Sequence, residues 1–278
     1  EEEKAGFYQL LYYPVKGCEF LNKMVLYGQK NRWYALQKRA ATNSISKEVK
    51  AYYDSLQIIT QGYNSLLNGK WNPVMTTRQG FAASYFELPK LMTVSLPDAP
   101  SLGVLAEGED VLQGKSSIHT LPAFNTYFRQ SYYVDLFNKG IIPLNWSVTT
   151  SDDWIVIDKK EGITKLEERI WVSIDWTKVP VGERISGVID VMAGSAGKDK
   201  IYVSVFNPSS PSLQEMDSLF VEHNGYVSIN ASDYHRKVEN EDIKIELIPN
   251  LGFEKASVQL GNPTAPVQKT GKIGRAHV

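Results

Sequence analysis

Apolar side chains in the first third of the chain recur at helical spacing. Leu10, Leu11, Val15, Cys18, Leu21, Val25 and Leu26 step by three and four, and the pattern runs on through Trp33, Leu36 and Ala40 to Thr42-Asn43-Ser44, which interrupts it. Pro14 has no N–H and clashes with the preceding turn, so it predicts a helix start or a kink at that point. Ile45, Val49, Tyr52, Leu56, Ile59, Tyr63 and Leu66 repeat the same period, with Ser44 or Ser46 as the N-cap and Asn68-Gly69 as the left-handed stop. The pattern predicts two long antiparallel helices, with the stripe of the first, Cys18 included, as its buried face. Trp71 to about Pro100 is irregular and rich in proline and aromatics.

From Ile118 the period changes to two. Tyr132–Phe137, Leu144–Thr149, Trp154–Ile157, Arg169–Trp176, Arg184–Val191 and Ile201–Phe206 are short β-branched or aromatic runs. Lys139-Gly140, Ser151-Asp152-Asp153, Glu161-Gly162, Val181-Gly182 and the stretch Gly194 to Gly197 read as the turns between them. No helical crossovers intervene, which predicts an antiparallel sandwich with Trp146 and Trp154 filling the space between its sheets. Asn207 to Ser212 is a linker by composition; beyond it Tyr226–Ala231, Ile243–Ile248 and Ala256–Leu260 read as strands of a third unit, and Lys272–Val278 as the start of another. The fold class is therefore multi-domain α plus β: a helical bundle over 1–95, a connector over 96–117, an immunoglobulin-like antiparallel β-sandwich over 118–207, a linker over 208–220, and a partial, jelly-roll-like β unit over 221–278.

Charge narrows the function. Among 278 residues, 30 Lys and Arg face 31 Asp and Glu, a net charge of −1, which removes the electrostatic basis of a dedicated nucleic-acid binder. No run of about 18 apolar residues predicts a membrane span. Cys18 is the single cysteine, so neither an intramolecular disulfide nor a cysteine-based zinc site is expected. The chain opens Glu1-Glu2-Glu3-Lys4 with no signal-peptide pattern, and the expectation is a piece cut from something longer.

The stretch Phe7-Tyr8-Gln9-Leu10-Leu11-Tyr12-Tyr13-Pro14-Val15-Lys16-Gly17-Cys18 resembles the helical domain that follows the catalytic barrel in glycoside hydrolase family 115. The resemblance continues through Tyr63-Asn64, Asn68-Gly69-Lys70-Trp71-Asn72, Leu121-Pro122-Ala123-Phe124 and Asp175-Trp176. The sandwich, with Trp146, Trp154-Ile155-Val156-Ile157, Gly162 and Arg184-Ile185-Ser186-Gly187 in that order, is also similar to carbohydrate-associated immunoglobulin-like modules of gut Bacteroidetes. Tyr226 to Tyr234 is similar to the opening strand of jelly-roll carbohydrate-binding modules, with Asn230 and Ser232 where acidic residues are usual. The family-115 resemblance implies an α-glucuronidase that removes (methyl)glucuronic acid from xylan, periplasmic or secreted, with this chain as its accessory C-terminal portion. A stand-alone xylan-binding or scaffold module is the alternative. The implied partners are the catalytic barrel of the same parent chain, glucuronoxylan and a homodimer contact; no nucleic acid, membrane, metal or cofactor is expected.

No catalytic residue is assigned within the chain. Glycoside hydrolysis needs two carboxylates across a sugar cleft, and a barrel to carry them needs about 200 residues or more of alternating strands and helices, which this sequence lacks. Asp152-Asp153 reads as a turn, Glu107, Glu109 and Asp110 as a solvated acidic loop, and Asp175 as a structural hydrogen-bond acceptor. His119, His223, His235 and His277 show no paired spacing, and Gly194 to Asp199 has the wrong spacing for a phosphate loop. Aromatic faces stack on sugar C–H surfaces, so Trp71, Asn72, Tyr85 and Phe86 are the candidate carbohydrate contacts. Fifteen of the 31 aromatic residues precede position 90, and Phe7, Tyr8, Tyr12, Tyr13, Trp33 and Tyr34 do not all fit one stripe; contact with a neighbouring surface is expected there.

Overall fold

Helical period, β period and a small second β region appear in that order in the computed structural model, which describes residues 2–75, 86–109, 118–212, 214–216, 219–239, 241, 243–253, 255–262, 264 and 276–277. A short helix α1 (Glu2–Phe7) runs through a π-helical stretch, Tyr8–Tyr12, into α2 (Tyr13–Leu36), with Pro14 in the first turn where a missing N–H costs nothing. α3 (Ala41–Gly69) returns alongside α2. It ends where the sequence predicts: Leu67, Asn68 and Gly69 all take positive φ, at 49°, 57° and 82°. Its start differs from the expectation. The helix begins at Ala41, before either candidate serine, and Ser44 lies inside it with its hydroxyl donating to Ala41 O at 2.9 Å.

The buried face of α2 is not the apolar stripe. Gly17, Met24, Gly28 and Asn31 are its buried residues, with Leu21 packed beside Met24 against Ala41, Ile45 and Val49 of α3. These positions recur at three and four, but two are glycine and one is asparagine, so a hydrophobicity pattern does not find them. The glycines permit close approach: a Cβ on Gly17 would sit 2.7 Å from Met75 Cε, and one on Gly28 would sit 3.0 Å from Pro89 Cγ. Leu10, Leu11, Val15, Val25 and Leu26 are exposed instead, as is Cys18, which corrects the expectation of a buried thiol. α3 keeps the face predicted for it, with Ile45, Val49, Leu56 and Ile59 buried.

Three asparagines tie irregular chain to this hairpin. Asn31 receives Met92 N–H on Oδ1 at 2.7 Å and donates from Nδ2 to Met92 O and Thr42 O, both at 3.0 Å. Asn43 grips Val94 N–H and O in the same way, at 2.9 and 3.0 Å, and Asn64 grips Met75 at 3.1 and 2.7 Å. Each amide imitates the edge of a strand, satisfying backbone that has no strand partner.

The sandwich follows. One sheet has the order β1-β4-β8-β6, from β1 (Leu102–Ala106), β4 (Tyr132–Asn138), β6 (Ile155–Ile157) and β8 (Glu167–Ile174), all antiparallel. The other has the order β2-β10-β9-β5-β7, from β2 (His119–Thr120), β5 (Leu144–Thr150), β7 (Glu161–Thr164), β9 (Gly182–Met192) and β10 (Lys198–Asn207), with β3 (Phe124–Asn125) also beside β10. The pairing of β2 with β10 is parallel, so this sheet is mixed where a purely antiparallel one was expected. Leu144, Trp146 and Val148 point into the core from β5 while Asn145, Ser147 and Thr149 face out, the two-residue period in its plainest form. Trp146 and Trp154 are both buried among residues of the two sheets, as their spacing predicts. Glu161-Gly162, read as a turn, is instead the start of β7: Gly162 sits opposite Trp146, and a Cβ there would meet the indole at 2.7 Å. β1 lies inside the stretch read as a connector.

Two compact units result. The hairpin and sandwich together form the first (Glu1–Phe124, Arg129–Pro180, Arg184–Val205), and the second comprises Asn125–Phe128, Val181–Glu183 and Phe206–Val278. In the second, β12 (Ile245–Pro249) and β13 (Ala256–Leu260) form an antiparallel hairpin over Ile243 and Ile245. The expected opening strand Tyr226–Ala231 is extended chain leading into a 3-10 turn, Ala231–Asp233, and makes only an isolated bridge, His223 to Tyr226. The chain's last described residues are paired, not a strand awaiting a partner: β14 (Ala276–His277) lies antiparallel to β11 (Arg236–Lys237). The class is mixed α plus β, a helical hairpin followed by a β-sandwich and a smaller β unit, with no barrel among the described residues.

Candidate functional site

Of the candidate carbohydrate contacts, Trp71, Asn72 and Phe86 lie among the described residues. Trp71 sits in the turn after α3, partly buried, with Lys70 Nζ 5.0 Å from its ring centroid; its indole N–H is buried and has no hydrogen-bond partner among the described residues. Asn72 is exposed in the same turn. Phe86 lines an apolar cavity of about 220 Å³ with Gly17, Leu21, Leu56 and Met75. Tyr85, Phe81 and Asp110 fall outside the described residues.

The acidic candidates stay in structural roles. Asp175 lies in the turn after β8, where it accepts the Thr177 N–H at 3.1 Å and hydroxyl at 2.6 Å, and these bonds hold its carboxyl below the usual range. Asp152 takes the Ser151 hydroxyl at 2.5 Å, and Asp153 is 3.4 Å from Lys178. Glu109 is not a solvated loop residue. Its carboxylate is largely buried, accepts the Ala106 and Thr120 N–H groups at 3.1 and 3.2 Å, and meets His119 Nδ1 at 2.9 Å. No spacing in the sequence points to this cluster, because it is completed only by the pairing of β2 with β10.

The most extended feature is the outer face of α2. Val15, Leu26 and Trp33 recur after 11 and 7 residues, and Cys18, Val25 and Leu36 after 7 and 11, so each set stacks at whole turns along the helix. All are exposed; Leu26 is 65% and Leu36 61% open to solvent. Phe7, Leu10 and Leu11 prolong the face toward the N-terminus. Beside it runs a groove of about 650 Å³ between α2 and the 87–94 segment, floored by Met24 and Gly28 and walled by Val25, Leu36, Pro89 and Met92. A single exposed leucine is ordinary, whereas this row makes an extended apolar face on one helix. A second, smaller feature lies on the β1-β4-β8-β6 sheet. Trp171, exposed, stands opposite Tyr133 with ring centroids 5.7 Å apart, and Arg169 covers the tyrosine face at 3.6 Å.

The first unit is thus an α hairpin and a β-sandwich with an uncovered apolar helix face. Residues 219–276 match the glycosyl hydrolase family 115 C-terminal domain. That match, within the second unit, supports the family-115 resemblance read from the sequence. No curated protein matches the chain. Among solved structures, a Bacteroides ovatus GH5 xyloglucanase in complex with a XXXG heptasaccharide is 16% identical over 40% of this chain and 20% of its own, with a TM-score of 0.28. The YadV chaperone is 14% identical over 59% of this chain and 68% of its own, TM-score 0.29. A family 123 glycoside hydrolase from Clostridium perfringens is 14% identical over 40% of this chain and 28% of its own, TM-score 0.27. The chain thus spans only a fifth of the xyloglucanase, and at these scores the likenesses carry no functional weight.

Proposed function

We propose that this chain is the accessory C-terminal portion of a secreted or periplasmic xylan α-1,2-(4-O-methyl)glucuronidase, and that it supports a catalytic barrel rather than performing hydrolysis. The observation that carries the reading is the family-115 C-terminal match at residues 219–276. The uncovered apolar face of α2 supports it, since a helix of this composition loses stabilisation wherever it meets water and gains it against a neighbouring domain. In this reading the barrel supplies the two carboxylates of glycoside hydrolysis, and α2 packs against it to brace the substrate cleft. A homodimer contact through the same face is the competing occupant. The chain alone, incubated with glucuronoxylan and aldouronic acids, should release no glucuronic acid. Turnover by the isolated chain that a single carboxylate substitution abolished would overturn the reading.

The exposed Trp171, set against the half-buried Tyr133, favours a second reading, a sandwich that binds xylan in its own right. The two rings meet at 74°, so they offer one stacking face and not a flat two-ring platform. Calorimetry with xylo-oligosaccharides separates the readings: binding lost in Trp171→Ala favours a xylan-binding sandwich, and no binding favours the brace.

A further inference from the structure

His119 opens β2 with both ring nitrogens facing carboxylates. Nδ1 lies 2.9 and 3.0 Å from the two oxygens of Glu109, and Nε2 lies 3.3 Å from Asp199 Oδ2 at the start of β10. A neutral imidazole carries one N–H, so it can donate to only one of these acceptors and must turn a lone pair on the other. Only the imidazolium satisfies both. The three side chains are also well placed to bind elements together. Glu109 simultaneously accepts Ala106 N–H from the last residue of β1 and Thr120 N–H from β2, while Asp199 belongs to the strand that β2 pairs with. β2 is only two residues long, and the pairing register with β10 is His119 to Ile201 and Thr120 to Tyr202. Leu121 follows at once, fully buried, with its N–H on Tyr202 O at 3.1 Å. The edge of the sandwich therefore depends on a very short ladder reinforced by one ion cluster.

We propose that Glu109, His119 and Asp199 form a proton-operated clasp that fastens β2, and with it the end of β1, to β10. The charged groups facing it, among the described residues, are Glu109 from the turn after β1, Asp199 from β10, and Lys139 from the turn after β4, whose ammonium acts on Asp199. Two carboxylates against one imidazole favour the charged ring, and they raise the His119 value above the ordinary imidazole range against the opposing effect of burial. Burial lowers the Lys139 ammonium, while Asp199 acts in the opposite direction. A group whose folded value is raised stabilises the fold fully below its unfolded value, about pH 6.5 for histidine, and that contribution is lost as pH rises through the folded value. The clasp is thus closed in mildly acidic solution and opens toward alkaline pH. The inference rests on this cluster alone and stands whatever the parent enzyme hydrolyses.

Two readouts on the full 278-residue chain test it: the NMR titration of His119, and amide exchange at Thr120 and Leu121, corrected for the intrinsic pH dependence of exchange. The expected result is a His119 midpoint above about 6.5 and a loss of Leu121 protection of about tenfold once the ring deprotonates. Asp199→Asn, at a partly exposed position, should lower the midpoint and shrink that loss while leaving the fold intact. Glu109→Gln should lower it further. A midpoint at or below about 6.5, Leu121 protection that is flat across the range, or a response unchanged in Asp199→Asn would overturn the proposal.

Discussion

The guanidinium of Arg39 lies 3.4 Å from the carboxylate of Asp135, joining the turn between α2 and α3 to the middle of β4. Arg39 is only 1% exposed; it also meets Glu167 at 3.0 Å, donates from Nε to Gln37 Oε1, and lies about 4 Å from the rings of Tyr34 and Phe137. A buried cation is tolerable only when it is paired and covered in this way. Beside it the Tyr34 hydroxyl, which donates to Glu167 at 3.1 Å, is held above the usual phenol range, chiefly by burial. Arg39→Ala leaves Asp135 with Arg169 alone, at 2.8 Å, and should destabilise the first unit by about 3 kcal/mol. Urea denaturation followed by tryptophan fluorescence reads the loss; a midpoint equal to the parent's would mean that the pair contributes nothing at this junction.

The sandwich core gives a second expectation. Trp146 is buried, with its N–H donating to Thr164 Oγ1 at 3.1 Å, and Trp154 is buried against Ile155 and Gly187. Trp146→Ala and Trp154→Ala should each cost about 3–5 kcal/mol, through lost transfer energy and the cavity left behind. Unchanged thermal midpoints in both variants would contradict the packing described.

Asn31 makes a prediction that hydrophobicity does not. Asn31→Ala removes three hydrogen bonds and strands the Met92 N–H and carbonyl, so a loss of about 2–3 kcal/mol is expected. Asn31→Leu, which supplies more apolar area, should not restore it. Restoration by leucine would show that the position acts through packing and that the amide clamp is unimportant.

These examples also say which parts of the molecule the sequence made legible. The strands at 144–150, 155–157 and 201 onward were readable because one face of each is buried, so apolar and polar residues alternate, whereas β4, buried continuously from Val134 to Asn138, was readable from its β-branched and aromatic run. α3 was readable for the same reason at helical period. The buried side of α2 was not, because close approach is achieved with Gly17 and Gly28 and polarity is satisfied by Asn31, and none of these is apolar. Its actual apolar stripe pointed the opposite way, toward solvent, because a period gives a face and not what covers it. β1 and β7 were missed for want of alternation: β1 is buried at four of five positions, and β7 is a short polar edge containing Gly162. The Glu109–His119–Asp199 cluster was invisible because its members are brought together by pairing across the sheet.

The C-terminal unit should bind glycans weakly at most. Asn230 and Ser232 stand in and beside a 3-10 turn instead of on an opening strand, so the position does not present a row of ligand-facing side chains. Calorimetry against xylan oligosaccharides should detect nothing tighter than millimolar. Micromolar affinity that disappeared on deleting residues 221–278 would reverse this expectation.

The most direct test of the account is association of this chain with the catalytic barrel of a family 115 α-glucuronidase, followed by sedimentation velocity. The parent chain should bind, and the double variant Leu26→Glu, Leu36→Glu should not, because charges at two of the most exposed positions of the α2 face make that contact pay for burying them. Both chains should give the same circular dichroism, since neither side chain is in the core. Failure of the parent chain to associate, or association that the two glutamates leave unchanged, would contradict the claim that this face is made for the barrel.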